Sequence, residues 1–265
     1  MSDPSYLLER RPDGVVWLTL NRPAIHNAFD DRQIALLTAA LGELAEDDTV
    51  RAVVLTGAGS SFSAGADLNW MRRTTTYGEA ENLRDANALA GLMKALYELP
   101  RPTVARVNGA ALGGGTGLVA CCDVVVASED ALFGTTEVRL GIIPAVIGPY
   151  VIAAIGARHA RRLMLTGERI TAYEAARIGL VHEVVPADQL DAAVETMVSH
   201  LLKGGPGALA AAKRLVHDLA DRPIDQDLID DTARRIAALR ATPEAREGLS
   251  AFLEKRKPGW NGRNG

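Results

Sequence analysis

The sequence predicts an α/β fold of crossover units followed by a helical appendage. Two observations carry this. A buried strand, a small-residue loop and a helical segment follow one another twice, beginning at Ala52–Thr56 and at Thr103–Val107. From about Asp188 onward, only helical periodicity is present. The chain is 265 residues long and 48% apolar, enough for one large core.

The elements follow in order. Asp13-Gly14 is a turn signal, and Val15–Leu20 is a strand rich in β-branched residues, so the chain opens as a hairpin. Asn21-Arg22-Pro23 ends it. Asp30 caps a helix that places Ile34, Leu37, Leu41 and Leu44 on one face. Ala52–Thr56 is uniformly apolar, as in a strand covered on both sides. Gly57–Asp67 reads as a loop of small residues. A helix from about Glu79 to Leu99 carries Leu83, Leu89, Met93 and Leu96, and Pro100 and Pro102 stop it. Thr103–Val107 is a strand, Asn108-Gly109 a turn, Leu112–Cys122 helical and Asp123–Ala127 a further buried strand. Leu180–Val185 is a last strand, closed by Pro186. Gly204-Gly205-Pro206, Pro223 and Pro243 divide the helical tail.

Composition excludes several functions. A net charge of −4 with scattered basic residues gives no nucleic-acid footprint. The two cysteines, Cys121 and Cys122, are adjacent and cannot staple a fold, which fits a reduced, cytoplasmic setting. The first residues lack the pattern of a signal peptide. Leu140–Ala157 is uncharged, but Gly141, Pro144, Gly148 and Pro149 interrupt it, so it reads as a buried loop entering a helix and not as a membrane span. There is no phosphate-loop lysine motif, no G-x-S-x-G elbow, no G-x-G-x-x-G and no H-E-x-x-H or C-x-x-C. The histidines at 26, 159, 182, 200 and 217 lack ligand spacing, so no metal is expected. Among them His182 is the candidate for partial burial.

Two segments carry chemistry. Phe62-Ser63-Ala64-Gly65-Ala66-Asp67 follows a strand and precedes a helical segment. Small side chains let a ligand approach the backbone, and helix-start N–H groups are free to donate. The plainer reading is a tight turn capped by Asp67. Asn108 to Gly115 repeats the arrangement with three consecutive glycines, Gly113, Gly114 and Gly115. Each costs a helix about 1 kcal/mol relative to alanine, which favours a close backbone approach. Two such loops in neighbouring parallel units aim two N–H groups at one point. That is oxyanion-hole geometry, suited to a carbonyl that becomes an enolate.

Phe62–Asp67, Ala105–Gly115, Cys122-Asp123 and Glu137–Gly141 together resemble the crotonase (enoyl-CoA hydratase/isomerase) superfamily. The resemblance continues through Leu165–Ile170 and Gly179–Val181 and ends at Phe252–Pro258, covering nearly the whole chain in order. It implies a spiral of ββα units over residues 1–195 and a helical trimerisation region over 196–265. It also implies a homotrimer, often paired into a hexamer, acting on an acyl-CoA thioester without a separate cofactor. By position, the N–H groups of Ala66 and Gly114 form the oxyanion hole, beside Gly113. The loop holding Ala64, Ala66, Asp67 and Leu68 receives CoA. Arg22 and His26 lie where the family contacts the CoA phosphates. Phe252 and Lys255 match positions that reach CoA across a subunit interface.

Hydratases of this family use two glutamates to hold and activate water. The second corresponds to Glu137; the first position is Gly117. Three explanations are open. Glu137 alone serves, another residue among Asp67, Asn69 and Arg139 reaches in, or the enzyme moves a double bond and needs one proton shuttle. An ion pair with Arg139 is the structural alternative for Glu137. Finer matches, Ala66–Arg73 and Pro144–Ile147 among them, resemble bacterial methylglutaconyl-CoA and carboxygeranoyl-CoA hydratases, which share the glycine. Their substrates carry a second carboxylate, for which Arg72, Arg73 or Arg139 is a candidate partner. The implied activity is hydration of a 2-enoyl-CoA. The alternatives are a Δ3,Δ2-enoyl-CoA isomerase and a catalytically silent acyl-CoA-binding homologue.

Overall fold

A computed structural model describes residues Pro4–Asn261. β1 (Tyr6–Arg10) and β2 (Val15–Leu20) form the expected antiparallel hairpin. Its turn works because Gly14 takes a positive φ and the Asp13 carboxylate accepts the Val15 N–H at 3.0 Å. α1 (Asp31–Glu46) starts where Asp30 accepts the Gln33 N–H at 2.8 Å.

Three ββα units follow. The first is β3 (Ala52–Gly57), β4 (Ser61–Ser63) and the helices α2 (Leu68–Thr74) and α3 (Glu79–Tyr97). The second is β5 (Thr103–Val107), β6 (Ala110–Leu112) and α4 (Gly114–Cys121). The third is β7 (Val124–Ser128), β8 (Leu132–Gly134), a single 3-10 turn at Glu137–Leu140 and α5 (Gly148–Thr166). Then come β9 (Ile170–Thr171), α6 (Ala172–Arg177), β10 (Glu183–Val185), α7 (Leu190–Leu202), α8 (Pro206–Leu219), α9 (Gln226–Arg240) and α10 (Pro243–Leu253).

The first strand of each unit enters a six-stranded sheet, ordered β1-β2-β3-β5-β7-β10 and parallel from β2 onward. The second strand of each enters a small sheet, β4-β6-β8-β9, in which β4, β6 and β8 run parallel. The large sheet is covered on both faces, and the two-residue period sorts its side chains. Val53, Leu55, Ala105, Val107 and Val125 join the main core with α1, α3, α4 and α5. Val54, Val104 and Val126 turn to the opposite face and pack under Leu190, Val194 and Val198 of α7.

Several expectations change. The loop Gly57–Asp67 contains β4, and Asn108-Gly109 leads directly into β6, so α4 begins at Gly114 and not at Leu112. The whole small sheet escapes sequence reading because its strands have two or three residues, too few to show a period. The last strand is shorter than Leu180–Val185, starting at Glu183. Residue 195 lies within α7, whose Leu190, Val194 and Val198 pack on the large sheet. Leu140, Ile142 and Ile143 are exposed, so Leu140–Ala157 does not begin as a buried loop. No helix among the described residues is long and apolar enough to cross a membrane.

Several contacts tie the helical tail back, among them Arg51, which donates to the Trp260 carbonyl at 3.0 Å. Lys213 of α8, almost fully buried, pairs with Asp123 at 2.9 Å, while Asp123 also accepts from the Thr103 N–H and hydroxyl. His217 stacks on Tyr97, with ring centroids 4.2 Å apart. Glu244 of α10 accepts the Gly207 and Ala208 N–H groups and so caps α8.

Candidate active site

The site sits at one edge of the small sheet. β4, β6 and β8 are parallel neighbours, and adjacent strands lie about 4.8 Å apart. Their C-terminal ends therefore bring three segments together: Ala64–Asp67 after β4, Gly113–Gly115 after β6 and Thr135–Glu137 after β8. Each unit supplies one part of the site at the same structural position.

Phe29 holds the first loop. Its N–H donates to Gly65 O at 2.8 Å, and its carbonyl accepts the Asp67 N–H at 3.0 Å. This is a parallel bridge between Phe29 and Ala66. In such a bridge Ala66's own N–H and C=O point to the other side. The Ala64 N–H is also used, by His26 O at 2.9 Å. The Ala66 N–H is left without a partner among the described residues. In the second loop the Gly113 N–H donates to Gly134 O at 2.8 Å. Gly114 opens α4, so its N–H lacks an intrahelical acceptor.

The two loops touch. A Cβ placed on Gly65 would lie 3.3 Å from the Gly114 N. One on Gly114 would overlap the Phe29 ring, and one on Gly115 would overlap Ser63 O. Close approach thus accounts for the glycine run more fully than helix packing alone.

Glu137 stands against the second loop. Its Oε1 lies 3.2 Å from where a Gly113 side chain would begin, and Gly113 adopts a φ of +52°. Its Oε2 is buried with no hydrogen-bond partner among the described residues. Burial raises the carboxyl pKa; its own backbone N–H opposes this more weakly. The alternative of an ion pair with Arg139 is not realised. Arg139 is exposed, makes no ion pair among the described residues and lies beside Gly167.

Other expected residues hold different places. Asp67 caps α2 through the Asn69 and Trp70 N–H groups and pairs with Arg22. Arg22 also bonds Asp30 and the Ala28 carbonyl, so its guanidinium braces the first loop. His26 is exposed in a left-handed conformation, its Nδ1 3.0 Å from Ser61 Oγ. Ala64 and Leu68 are exposed at the loop rim. Phe252 and Lys255 are exposed at the end of α10 and hydrogen-bond to neither glycine loop. Arg73 pairs with Asp31, and Arg72 bonds Asn69. His182 is exposed, and its Nδ1 accepts the Val125 N–H at 3.0 Å. Burial raises both thiol pKa values, that of Cys122 to about 12, so neither cysteine serves as a nucleophile at neutral pH. Among the described residues no group of His, Cys, Asp and Glu is placed to hold a metal.

Sequence reasoning did not identify Phe29 and Ile147. Phe29 fixes both glycine loops. Ile147 fills the space beside Gly117, where its Cβ stands 2.8 Å from the point at which a side chain would begin. Asp67 and Asn69 do not supply a second acid: one is tied to Arg22 and a helix end, the other to Arg72.

The sequence pattern of the enoyl-CoA hydratase/isomerase family matches residues 10–263. The chain belongs to that family. It is an enzyme with the crotonase fold, two mixed sheets built from ββα units with helices at the C-terminus. It is 38% identical to the 2,3-dehydroadipyl-CoA hydratase of Escherichia coli, over 98% of this chain and 100% of the relative. It is 34% identical to the short-chain-enoyl-CoA hydratase of Clostridium acetobutylicum, over 92% of each. A crystal structure of an enoyl-CoA hydratase from Shewanella pealeana superposes with a TM-score of 0.94 at 43% identity, covering 97% of this chain and 96% of that one.

Proposed function

We propose that the protein hydrates a 2-enoyl-CoA, using Glu137 as its single acid–base carboxylate. What supports this is that the Ala66 and Gly114 N–H groups, without partners among the described residues, belong to two loops in contact, with the desolvated Glu137 carboxyl of the next unit against the second. The thioester oxygen accepts both N–H groups. Glu137 takes a proton from water, and the oxygen of that water bonds to C3. The thioester becomes an enolate, whose negative charge the two donors meet as it develops. A proton then passes to C2, from Glu137 or through the water it holds, and the product is a 3-hydroxyacyl-CoA. Water's oxygen and both of its hydrogens are accounted for across the old double bond.

CoA is part of the substrate, and no separate cofactor enters. Ala64, Ala66 and Leu68 form a rim suited to the adenine, and His26 sits beside it. Arg22, neutralised by Asp30 and Asp67, supports that rim and is a weaker phosphate ligand than a free arginine. Phe252 and Lys255 serve a neighbouring copy in a homotrimer or hexamer. A branched, dicarboxylic acyl group such as 3-methylglutaconyl is the finer reading. A relative named for 2,3-dehydroadipyl-CoA, a thioester of a dicarboxylic acid, supports it. Arg139, exposed and without an ion-pair partner among the described residues, lies two residues from Glu137 and is the candidate cation for the distal carboxylate.

Filling of the Gly117 space by Ile147 favours a second reading, a Δ3,Δ2-enoyl-CoA isomerase, because one proton shuttle suffices there. Offering crotonyl-CoA, 3-methylglutaconyl-CoA and 3-hexenoyl-CoA separately decides. Loss of conjugation with gain of water supports the hydratase. Gain of conjugation from 3-hexenoyl-CoA alone establishes the isomerase, and no turnover with any of the three overturns the proposed acyl groups.

A further inference from the structure

Glu137 and Ile147 belong to one segment that folds back over α4. Gly113 caps α4 and its carbonyl accepts the Gly117 N–H at 3.1 Å, so these glycines are one helical turn apart. The Glu137 carboxyl stands at the first, and Ile147 at the second. A Cβ on Gly117 would overlap Ile147 Cγ2, would stand 2.8 Å from Ile147 Cβ and would meet Met93 Cε of α3 at 3.4 Å. Ile147 cannot easily yield. It is 2% exposed, its carbonyl accepts the Val151 N–H at 3.1 Å, and a β-branched side chain has few rotamers. A side chain at 117 and an isoleucine at 147 are therefore mutually exclusive.

We infer that Ile147 is a positioning residue for Glu137: seated against Gly117, where Met93 also approaches, it closes the adjoining turn of α4 to water and to any second polar group. Glu137 thereby works as a lone carboxyl against an apolar floor. The surrounding elements supply little charge. α4 carries no titratable group except the buried Cys121 thiol, and α3 presents Met93. Between Glu137 and Arg158 the only titratable side chains are exposed Arg139 and half-buried Tyr150. Desolvation is accordingly the leading influence on the carboxyl.

This rests on Glu137 being the proton-transfer group, but its test is independent of turnover. The first measurement titrates the Glu137 carboxyl by 13C NMR, assigned with E137Q, in wild type and in Ile147→Ala. Admitting water in the variant should lower the midpoint by half a unit or more, with the pH–rate midpoint moving in the same direction. An unchanged midpoint in folded I147A protein overturns the positioning role. The second is a stability cycle of Gly117→Ala in wild type and in Ile147→Gly. Alanine is the better helix former. G117A should nevertheless lower Tm in wild type and raise it in I147G. An equal rise in both backgrounds overturns the steric exclusion. If I147G fails to fold, the cycle runs in I147A, where the predicted sign in wild type is unchanged and the loss must shrink. Absence of turnover in wild type would remove the hydratase reading and leave both measurements decisive.

Discussion

At the residue scale the site is dominated by one desolvated carboxyl. Glu137 holds its proton more tightly in the folded chain than in the unfolded one, because burial raises its pKa. The folded state is thus favoured at low pH, and this advantage is lost as pH rises through the folded value. Glu137→Gln should reduce kcat by roughly 10²–10⁴-fold. The same variant should have a higher Tm than wild type at neutral and alkaline pH. The difference should vanish below the ordinary carboxylate range, as differential scanning calorimetry across pH would show. Wild-type activity should rise with pH around a midpoint above that range, since the ionised carboxylate is the base. Gly114→Ala should lower kcat about 10²-fold or more, because the new methyl group displaces Phe29 and turns the N–H away. A folded G114A enzyme with unchanged kcat would remove Gly114 from the oxyanion hole.

At the scale of elements, position within the unit matters more than the motif. The same place after the second strand gives a donor loop twice and an acid once. Parallel pairing of β4, β6 and β8 makes these neighbours although they span Ala64 to Glu137 in sequence. The Lys213–Asp123 pair is a polar anchor of the helical tail. Removing one partner of a buried pair costs about 3–5 kcal/mol. Asp123 keeps some solvent exposure and its bonds to Thr103, so Lys213→Met should cost about 2–3 kcal/mol, read from urea unfolding. An undiminished midpoint would show that the Lys213–Asp123 pair is not what holds α8.

At the scale of the whole molecule, the described chain leaves apolar side chains uncovered on its C-terminal helices. Ile229, Ile236, Leu249, Phe252 and Leu253 are each about half exposed or more. Self-association would cover them and would carry Phe252 and Lys255 toward another copy's thioester. The protein should sediment as a trimer or hexamer, and Ile236→Asp with Leu253→Asp should shift it toward the 28.1 kDa monomer. If the double variant keeps the assembly intact, these helices are not its contact.

The sequence by itself determined the strands of the large sheet, the Asp30 cap, the two glycine loops and the family. Each is written in local signals: β-branched runs, cap chemistry, ordered motifs along one chain. The resemblance to the family's hydratases, carried by the sequence motifs, also singled out Glu137 and the glycine at 117. Only the tertiary structure decided what faces Gly117, because Ile147 is distant in sequence and meets it through the packing of α5 on α4. The same holds for Arg22, whose carboxylate partners come from two other segments, and for the small sheet. Its strands are too short to carry a period, and they exist because neighbouring units supply their hydrogen bonds.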